Sequence, residues 1–228
     1  MTTTLMFGDR LAESPVYMNF RGHRFFHAVD SLDLTKEQAA VLIEQWWHPL
    51  HYFPTFLARC VAVLPDIASK SAITRILNQE VGGGNAAQAH EVIYLDSMRR
   101  CGIDPGRISG AAPYQETAAL VEGYRTATDT REAALGFIFA TENTDLLMVS
   151  SIGRAIERTT GISDNEWVAI HVAQEPGHVE EANHALLADF TAEEEQAVLE
   201  AADEMWRLWT AFFDQLALEA DVKATASR

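Results

Sequence analysis

Two glutamates occupy positions where the helical period of the surrounding sequence predicts apolar residues. Glu142 falls within the apolar stripe of Ile138 and Val149. Glu80 continues the line of Ile73 in an earlier segment. Burying a carboxylate is costly unless it meets a cation or a metal ion. Both positions therefore predict carboxylates with a chemical role in the interior of the protein.

The segment from His171 to His178 contains the strongest local motif, in which His171, Glu175 and His178 are separated by four and three residues. On an α-helix, residues four and seven positions after the first lie within roughly 40° and 20° of it. The three side chains therefore point in one direction, on the same face as Trp167. Two imidazoles and one carboxylate on one face are typical of half of a metal site, although a hydrogen-bonded acid–histidine network would use the same residues.

His90 lies on the apolar face of its own helix, where a hydrogen-bonded core histidine is the simpler interpretation. Together with the others it completes a set of three carboxylates and three imidazoles from four helical segments. Mixed nitrogen and oxygen ligation suits iron or manganese better than metals that prefer thiolates. We therefore interpret the following residues as the ligands of a metal centre: Glu80, His90, Glu142, His171, Glu175 and His178.

The overall composition limits the classes of partner. The chain has 228 residues and a formal net charge of −16, which argues against nucleic acid or an anionic membrane as a partner. Its two cysteines, Cys60 and Cys101, do not form a disulfide framework. No apolar stretch approaches the length of a membrane span, and residues 1–10 lack the features of a signal peptide. A cytoplasmic location is the expectation.

Periodicity and capping residues predict an all-α fold. No alternating apolar and polar run is long enough for a strand. We expect one domain over 1–228, a compact bundle of about seven helices preceded by a less regular segment, 1–33, with a short helix near Phe25. Residues 105–112 are predicted as a loop. The predicted helices are 36–63 (interrupted near Pro49 and Pro54), 67–80, 86–101, 113–126, 130–159, 164–189 and 191–220.

Three segments resemble the haem-oxygenase-like di-metal, or di-iron, oxidases, which belong to the haem-oxygenase-like and thiaminase-like helical bundles. The first joins Glu80 and His90 through a glycine-rich break, the second contains Glu142, and the third is the motif of His171 to His178. Residues 46–54 are similar to the first long helix of that family. The likeness extends over roughly residues 25–213. On an unbroken helix Glu80 and His90 would diverge by about 80°, so the glycines must redirect one of them.

The resemblance implies an enzyme in which two ferrous ions, or manganese, react with dioxygen and oxidise a small substrate. Glu80, Glu142 and Glu175 would act through the metal centre. The reactions of the family include desaturation, hydroxylation, nitrogen oxygenation and carbon–carbon cleavage, often in natural-product biosynthesis. An amino-acid-like substrate, an external electron donor and a homodimer are further expectations. Pro176 and Gly177, between two of the ligands, predict a helix that is kinked or labile at the site.

Other functions remain open on the sequence alone. A thiaminase-like hydrolase of the same shape would need a nucleophilic cysteine, for which Cys60 and Cys101 are the candidates. A haem-binding or metal-free bundle oxidase would need fewer buried acids. A non-enzymatic bundle would act through partners. The apolar stripe of the last helix is interpreted as core, with a contribution to a dimer interface as the alternative: Trp206, Trp209, Phe212, Phe213 and Leu216.

Overall fold

A computed structural model describes residues 7–31, 33–186 and 190–221, and within these ranges the secondary structure is helical. The all-α prediction is confirmed. Two short 3-10 turns, Val29–Ser31 and Ala86–Gln88, accompany the α-helices. The α-helices are α1 (Phe7–Ala12), α2 (Pro15–Arg21), α3 (Arg24–Ala28), α4 (Lys36–Val63), α5 (Ile67–Glu80), α6 (His90–Arg100), α7 (Pro105–Gly110), α8 (Gln115–Ala127), α9 (Arg131–Thr160), α10 (Glu166–Ala185) and α11 (Ala192–Glu219).

The described part of the chain contains more helices than the seven predicted, because several are too short to show a period. Helices α1 to α3 lie in the segment expected to be less regular, and α7 replaces the predicted loop. Their signals are local. The side chains of Ser14 and Asp104 cap the first turns of α2 and α7, and a proline follows each cap. Helix α10 ends at Ala185, whereas its predicted end at residue 189 lies outside the described residues.

The predicted interruption of the first long helix is wrong. Helix α4 runs without a break from Lys36 to Val63 and contains both Pro49 and Pro54. Each proline removes one backbone donor, which weakens a helix but does not end it when neighbouring helices hold it in place. Here α4 packs against α5, α8 and α9. Helix α10 likewise continues through Pro176, and its lability at that point stays a prediction.

Helix α9 forms the centre of the bundle, because it packs against α11, α10 and α4. The aromatic stripe of α11 is part of this core: Trp206 and Phe213 are fully buried and Trp209 is 2% exposed. The indole N–H of Trp206 donates to the carbonyl oxygen of Ala140 at 3.2 Å, which ties α11 to α9. The stripe is therefore core, as interpreted from the sequence. Among the described helices, none is long and apolar enough to cross a membrane.

The predicted glycine break separates α5 from α6. Gly82, Gly83 and Gly84 all have positive φ, and they reverse the chain directly after Glu80. A Cβ atom on Gly82 would overlap the carbonyl oxygen of Asn85 and lie 2.7 Å from the amide nitrogen of Ala89. The turn brings His90, the first residue of α6, back beside Glu80, the last residue of α5.

Candidate metal centre

The six residues selected from the sequence lie together inside the bundle, in two groups of three. Glu80, His90 and His171 form one group, and Glu142, Glu175 and His178 form the other. Within each group, one oxygen or nitrogen atom from every residue lies within 4.8 Å of the others. All six residues are at most 5% exposed. Helices α5, α6, α9 and α10 each contribute at least one of them.

The spacing between side-chain atoms suits ligands that converge on an ion. Ligands at about 2.1 Å from a six-coordinate ion lie about 3 Å apart when adjacent and about 4.2 Å apart when opposite. Nδ1 of His90 is 3.0 Å from Oε2 of Glu80. Nδ1 of His178 is 3.4 Å from Oε2 of Glu142 and 3.8 Å from Oε2 of Glu175. The residues present therefore fit a pair of divalent cations.

Each imidazole has one nitrogen engaged by an oxygen acceptor outside the two groups. Nδ1–H of His171 donates to the carbonyl oxygen of Trp167 at 2.7 Å. Nε2–H of His90 donates to Oε1 of Gln174 at 3.0 Å, and Nε2–H of His178 donates to Oε1 of Gln79 at 2.6 Å. Such bonds orient each ring, and a metal would displace any proton from the other nitrogen and bind there. The two glutamines were not selected from the sequence.

Several buried oxygen and nitrogen atoms of the site lack hydrogen-bond partners. They include both carboxylate oxygens of Glu175, Oε1 of Glu142 and Nδ1 of His90, whose short approach to Glu80 does not have hydrogen-bond geometry. A buried polar atom without a partner costs about 1–3 kcal/mol, and more when it is charged. Metal coordination would satisfy all of these atoms, whereas without metal a protonated Glu175 would satisfy only some of them by donating to Glu142 or Asp145.

Asp145 is a fourth acid of the site that the sequence prediction missed. It lies one helical turn after Glu142 on α9, and its Oδ2 is buried without a hydrogen-bond partner. Oδ2 is 4.0 Å from Nε2 of His171. Burial raises the pKa of Asp145 to about 6. The spacing of three residues from Glu142 places both carboxylates on one helix face, and this was the available signal.

Without metal, the histidines are the only basic groups that meet these acids in the described part of the site. Burial lowers the pKa of His178, but its hydrogen bond and charge interaction with Glu142 outweigh burial and raise the pKa to about 9. Burial holds the pKa of His171 near 4, so this imidazole is neutral. Burial and the charges of Asp145 and Glu142 raise the pKa of Glu175 far above its usual range. Metal binding would displace these protons.

A cavity adjoins the two groups and has an apolar wall opposite the acids. The space in it that the centre of a water-sized molecule can reach is about 30 Å³. Helices α4, α8 and α11 supply the aromatic part of the wall. The indole N–H groups of Trp46 and Trp209 are buried there without hydrogen-bond partners. The residues opposite the acids are Trp46, Pro49, Leu50, Phe53, Tyr124 and Trp209.

Neither cysteine lies on this cavity. Cys60 is fully buried, and burial raises the pKa of its thiol well above the usual range. Burial also raises the pKa of Cys101. A nucleophilic cysteine needs a lowered pKa and access to the substrate. The structure therefore offers no support for the cysteine chemistry of a hydrolase at the described site.

Solved structures with the same architecture define the fold class. A CadD-like protein of unknown function from Nostoc punctiforme aligns with a TM-score of 0.75 and 14% identity over 97% of this chain and 96% of its own. A domain with a haem-oxygenase-like fold from Shewanella denitrificans aligns with a TM-score of 0.71 and 19% identity over 94% of this chain and 88% of its own. A TenA homologue from P. horikoshii aligns with a TM-score of 0.74 and 11% identity over 94% of this chain and 100% of its own. The protein is a haem-oxygenase-like helical bundle.

Sequence comparison identifies the family within that class. Residues 40–210 match the family described as iron-containing redox enzymes, and the chain belongs to this family. The chain is also 27% identical over 161 residues to the 4-chloro-allylglycine synthase of Streptantibioticus cattleyicolor. That match covers 68% of this chain but only 61% of the synthase. The resemblance stated from the sequence is confirmed at the level of family and fold.

Proposed function

We propose that this protein is a dioxygen-dependent, non-haem di-iron oxidase that acts on a small, amino-acid-like substrate. The observation that carries the proposal is the pair of buried ligand groups, in which each imidazole has one nitrogen engaged by an oxygen acceptor outside its group. The first iron would be held by Glu80, His90 and His171, and the second by Glu142, Glu175 and His178. Manganese would fit the same nitrogen and oxygen ligands.

When bound, the ferrous pair supplies the electrons and the open positions that reduce dioxygen and oxidise the substrate. The residues of the chain hold the metal ions and shape the substrate cavity. The three glutamates neutralise most of the cationic charge and hold the metal site within the bundle. The aromatic wall excludes bulk water from the cavity and contacts the apolar part of the substrate. An external donor would return the centre to the ferrous state after each oxidation that consumes its electrons.

The substrate proposal derives from the relative whose name describes an amino acid product. The 4-chloro-allylglycine synthase is similar to this chain over 161 residues, and the match covers 61% of its length. A cavity with carboxylates on one side and aromatic rings on the other suits a molecule with a polar head and an apolar chain. Desaturation, hydroxylation, nitrogen oxygenation and carbon–carbon cleavage are all open to such a centre.

The first test of the proposal is the metal content of the protein. Loaded anaerobically with ferrous iron and then desalted, the wild-type chain should retain about two irons and show the Mössbauer signature of high-spin ferrous ions. The variants Glu142→Ala and His178→Ala should lose iron from one group and lose oxygen consumption. Circular dichroism should show the same helicity as the wild type, because the helices pack through the apolar core and not through these side chains.

Cys101→Ser is the matched control, because this cysteine lies away from the cavity. It should retain the metal content and the oxygen consumption of the wild type. A folded wild-type protein that binds no iron under these conditions would overturn the proposal. A Cys101 or Cys60 variant that folds, binds two irons and is inactive would instead favour the cysteine-dependent hydrolase.

A further inference from the structure

Asp145 stands apart from the six proposed ligands in its accessibility. Its side chain is 16% exposed, whereas those of Glu80, Glu142 and Glu175 are 2–5% exposed. It lines the cavity, and its Oδ2 has no hydrogen-bond partner. Asp145 belongs to neither of the two groups of three residues, although its Oδ2 lies 4.0 Å from Nε2 of His171. Asp145 is therefore an additional acceptor on the substrate side of the site.

The rest of the cavity wall suits a cation. Among the described residues that line it, none is a lysine or an arginine that would pair with Asp145. The ring centroids of Phe53 and Tyr124 are 5.9 Å apart, those of Tyr124 and Trp209 are 6.5 Å apart, and those of Trp209 and Trp46 are 5.4 Å apart, so the four rings follow one another along the wall. The faces of aromatic rings attract organic ammonium groups, by about 2 kcal/mol where water is excluded. A carboxylate combined with such rings is a typical ammonium-binding environment.

The same wall offers donors for a second polar group. The indole nitrogen of Trp46 is buried without an acceptor, whereas that of Trp209 approaches the hydroxyl of Tyr124, and the two tryptophans are 3% and 2% exposed. An oxygen of a bound ligand would satisfy them. The cavity therefore presents an acceptor for a cation and donors for an oxygen, which are the complements of the two polar groups of an amino acid or amino alcohol.

We propose that Asp145 and the aromatic wall bind the ammonium group of the substrate, so that Asp145 determines specificity for an amine. The inference rests on the proposed function, because it takes the other six residues to be engaged by metal. Asp145 has no part in holding the iron on this proposal. A seventh metal ligand would affect iron content, whereas an ammonium-binding residue would affect only ligand affinity. Binding measurements can therefore test the proposal.

The test compares two ligands of nearly equal size, pentylammonium and 1-pentanol, on the anaerobic ferrous protein by isothermal titration calorimetry. The wild type should bind pentylammonium at least about tenfold more tightly than 1-pentanol. Asp145→Asn should abolish this preference by weakening pentylammonium binding and leaving 1-pentanol unchanged. Phe53→Leu should reduce the preference about threefold through loss of one ring face. Asp96→Asn, at an exposed aspartate paired with Arg99, should change nothing.

Iron analysis of the same samples separates the possible failures. Asp145→Asn should retain about two irons per chain, as the wild type does. Loss of iron in this variant would make Asp145 a metal ligand and overturn the inference. Equal affinity of the iron-loaded wild type for the two ligands, or no binding of either, would also overturn it while leaving the di-iron proposal intact. A wild-type protein without iron would overturn the proposed function itself.

Discussion

At the scale of single residues, two glutamines support the imidazoles of the candidate metal centre. Gln79 precedes Glu80 on α5, and its side-chain oxygen accepts from His178 on α10. Gln174 precedes Glu175 on α10, and its oxygen accepts from His90 on α6. Each glutamine thus positions an imidazole of the other segment. The two Gln-Glu pairs connect the helices reciprocally around the centre.

We predict that Gln79→Leu weakens iron binding by about 10–100-fold, because His178 then loses the acceptor that fixes its tautomer and ring orientation. Gln79→Glu retains an oxygen acceptor and should retain most of the affinity. The measurement is competition for ferrous iron with a chelator. Gln196→Leu is the control, since this exposed glutamine pairs with Glu200 on the surface. Unchanged affinity in Gln79→Leu would show that His178 needs no such support.

The six ligand candidates could be predicted because each interrupts or occupies an apolar face. Gln79 could not, because its position on the exposed face of α5 agrees with the ordinary pattern for a polar residue. Asp145 is partly exposed and is followed by the exposed Leu146, so no apolar period marked it as buried and only its spacing of three residues from Glu142 pointed to it. Sequence periodicity detects polar residues that lie on an apolar helix face. It cannot detect a polar residue on a polar face that contacts the site through another helix.

At the scale of elements, the glycine turn between α5 and α6 is the device that joins Glu80 and His90. Gly82 has a φ of +85°, and a side chain there would collide with the backbone of Asn85 and Ala89. Gly84 has a φ of +92°, but its side-chain position is open. The two glycines therefore differ in steric requirement while sharing the left-handed backbone.

We predict that Gly82→Ala destabilises the protein by about 3 kcal/mol, of which about 1–2 kcal/mol is the left-handed conformation and the remainder steric overlap. Gly84→Ala carries only the conformational cost. Because Gly82→Ala displaces His90 from Glu80, it should also reduce bound iron from about two to about one per chain. Urea unfolding and iron analysis are the measurements. Equal effects of both substitutions would contradict the steric argument.

The long elements were predictable because their signals are redundant. Thr35 and Thr191 form capping boxes at the starts of α4 and α11, and Gly161 ends α9 in the left-handed conformation. The shorter helices were not predictable in the same way. Helix α7 has six residues, fewer than two turns, so its apolar period cannot be recognised and only the cap at Asp104 marks it.

At the scale of the whole molecule, the candidate metal centre lowers the stability of the metal-free protein, because its ionisable groups are buried close together. Four acids and three histidines meet beside α9, the helix that packs against α4, α8, α10 and α11. In the absence of metal, the folded state keeps protons on groups that release them on unfolding. The stability of the metal-free protein should therefore fall as pH rises, whereas the stabilisation by bound metal should increase as pH rises.

We predict that the metal-free protein loses about 2 kcal/mol of stability between pH 6.5 and pH 9. The pKa of His178 is raised to about 9 in the folded state, so its contribution is fully present below the unfolded value of 6.5 and is lost as pH rises through 9. The raised pKa values of Glu175 and Glu142 act in the same direction. His171, whose pKa is near 4, titrates below this window.

Iron binding should have the opposite pH dependence, because its ligands must be deprotonated and binding releases their protons. The difference in free energy of unfolding between iron-loaded and metal-free protein should therefore grow from pH 6.5 to pH 9. Anaerobic urea unfolding at the two pH values measures it. In His178→Ala the decline of the metal-free protein should be smaller, since the histidine with the raised pKa is gone. A metal-free protein whose stability is constant or rises over this range would show that the buried acids and histidines are solvated rather than confined in the bundle.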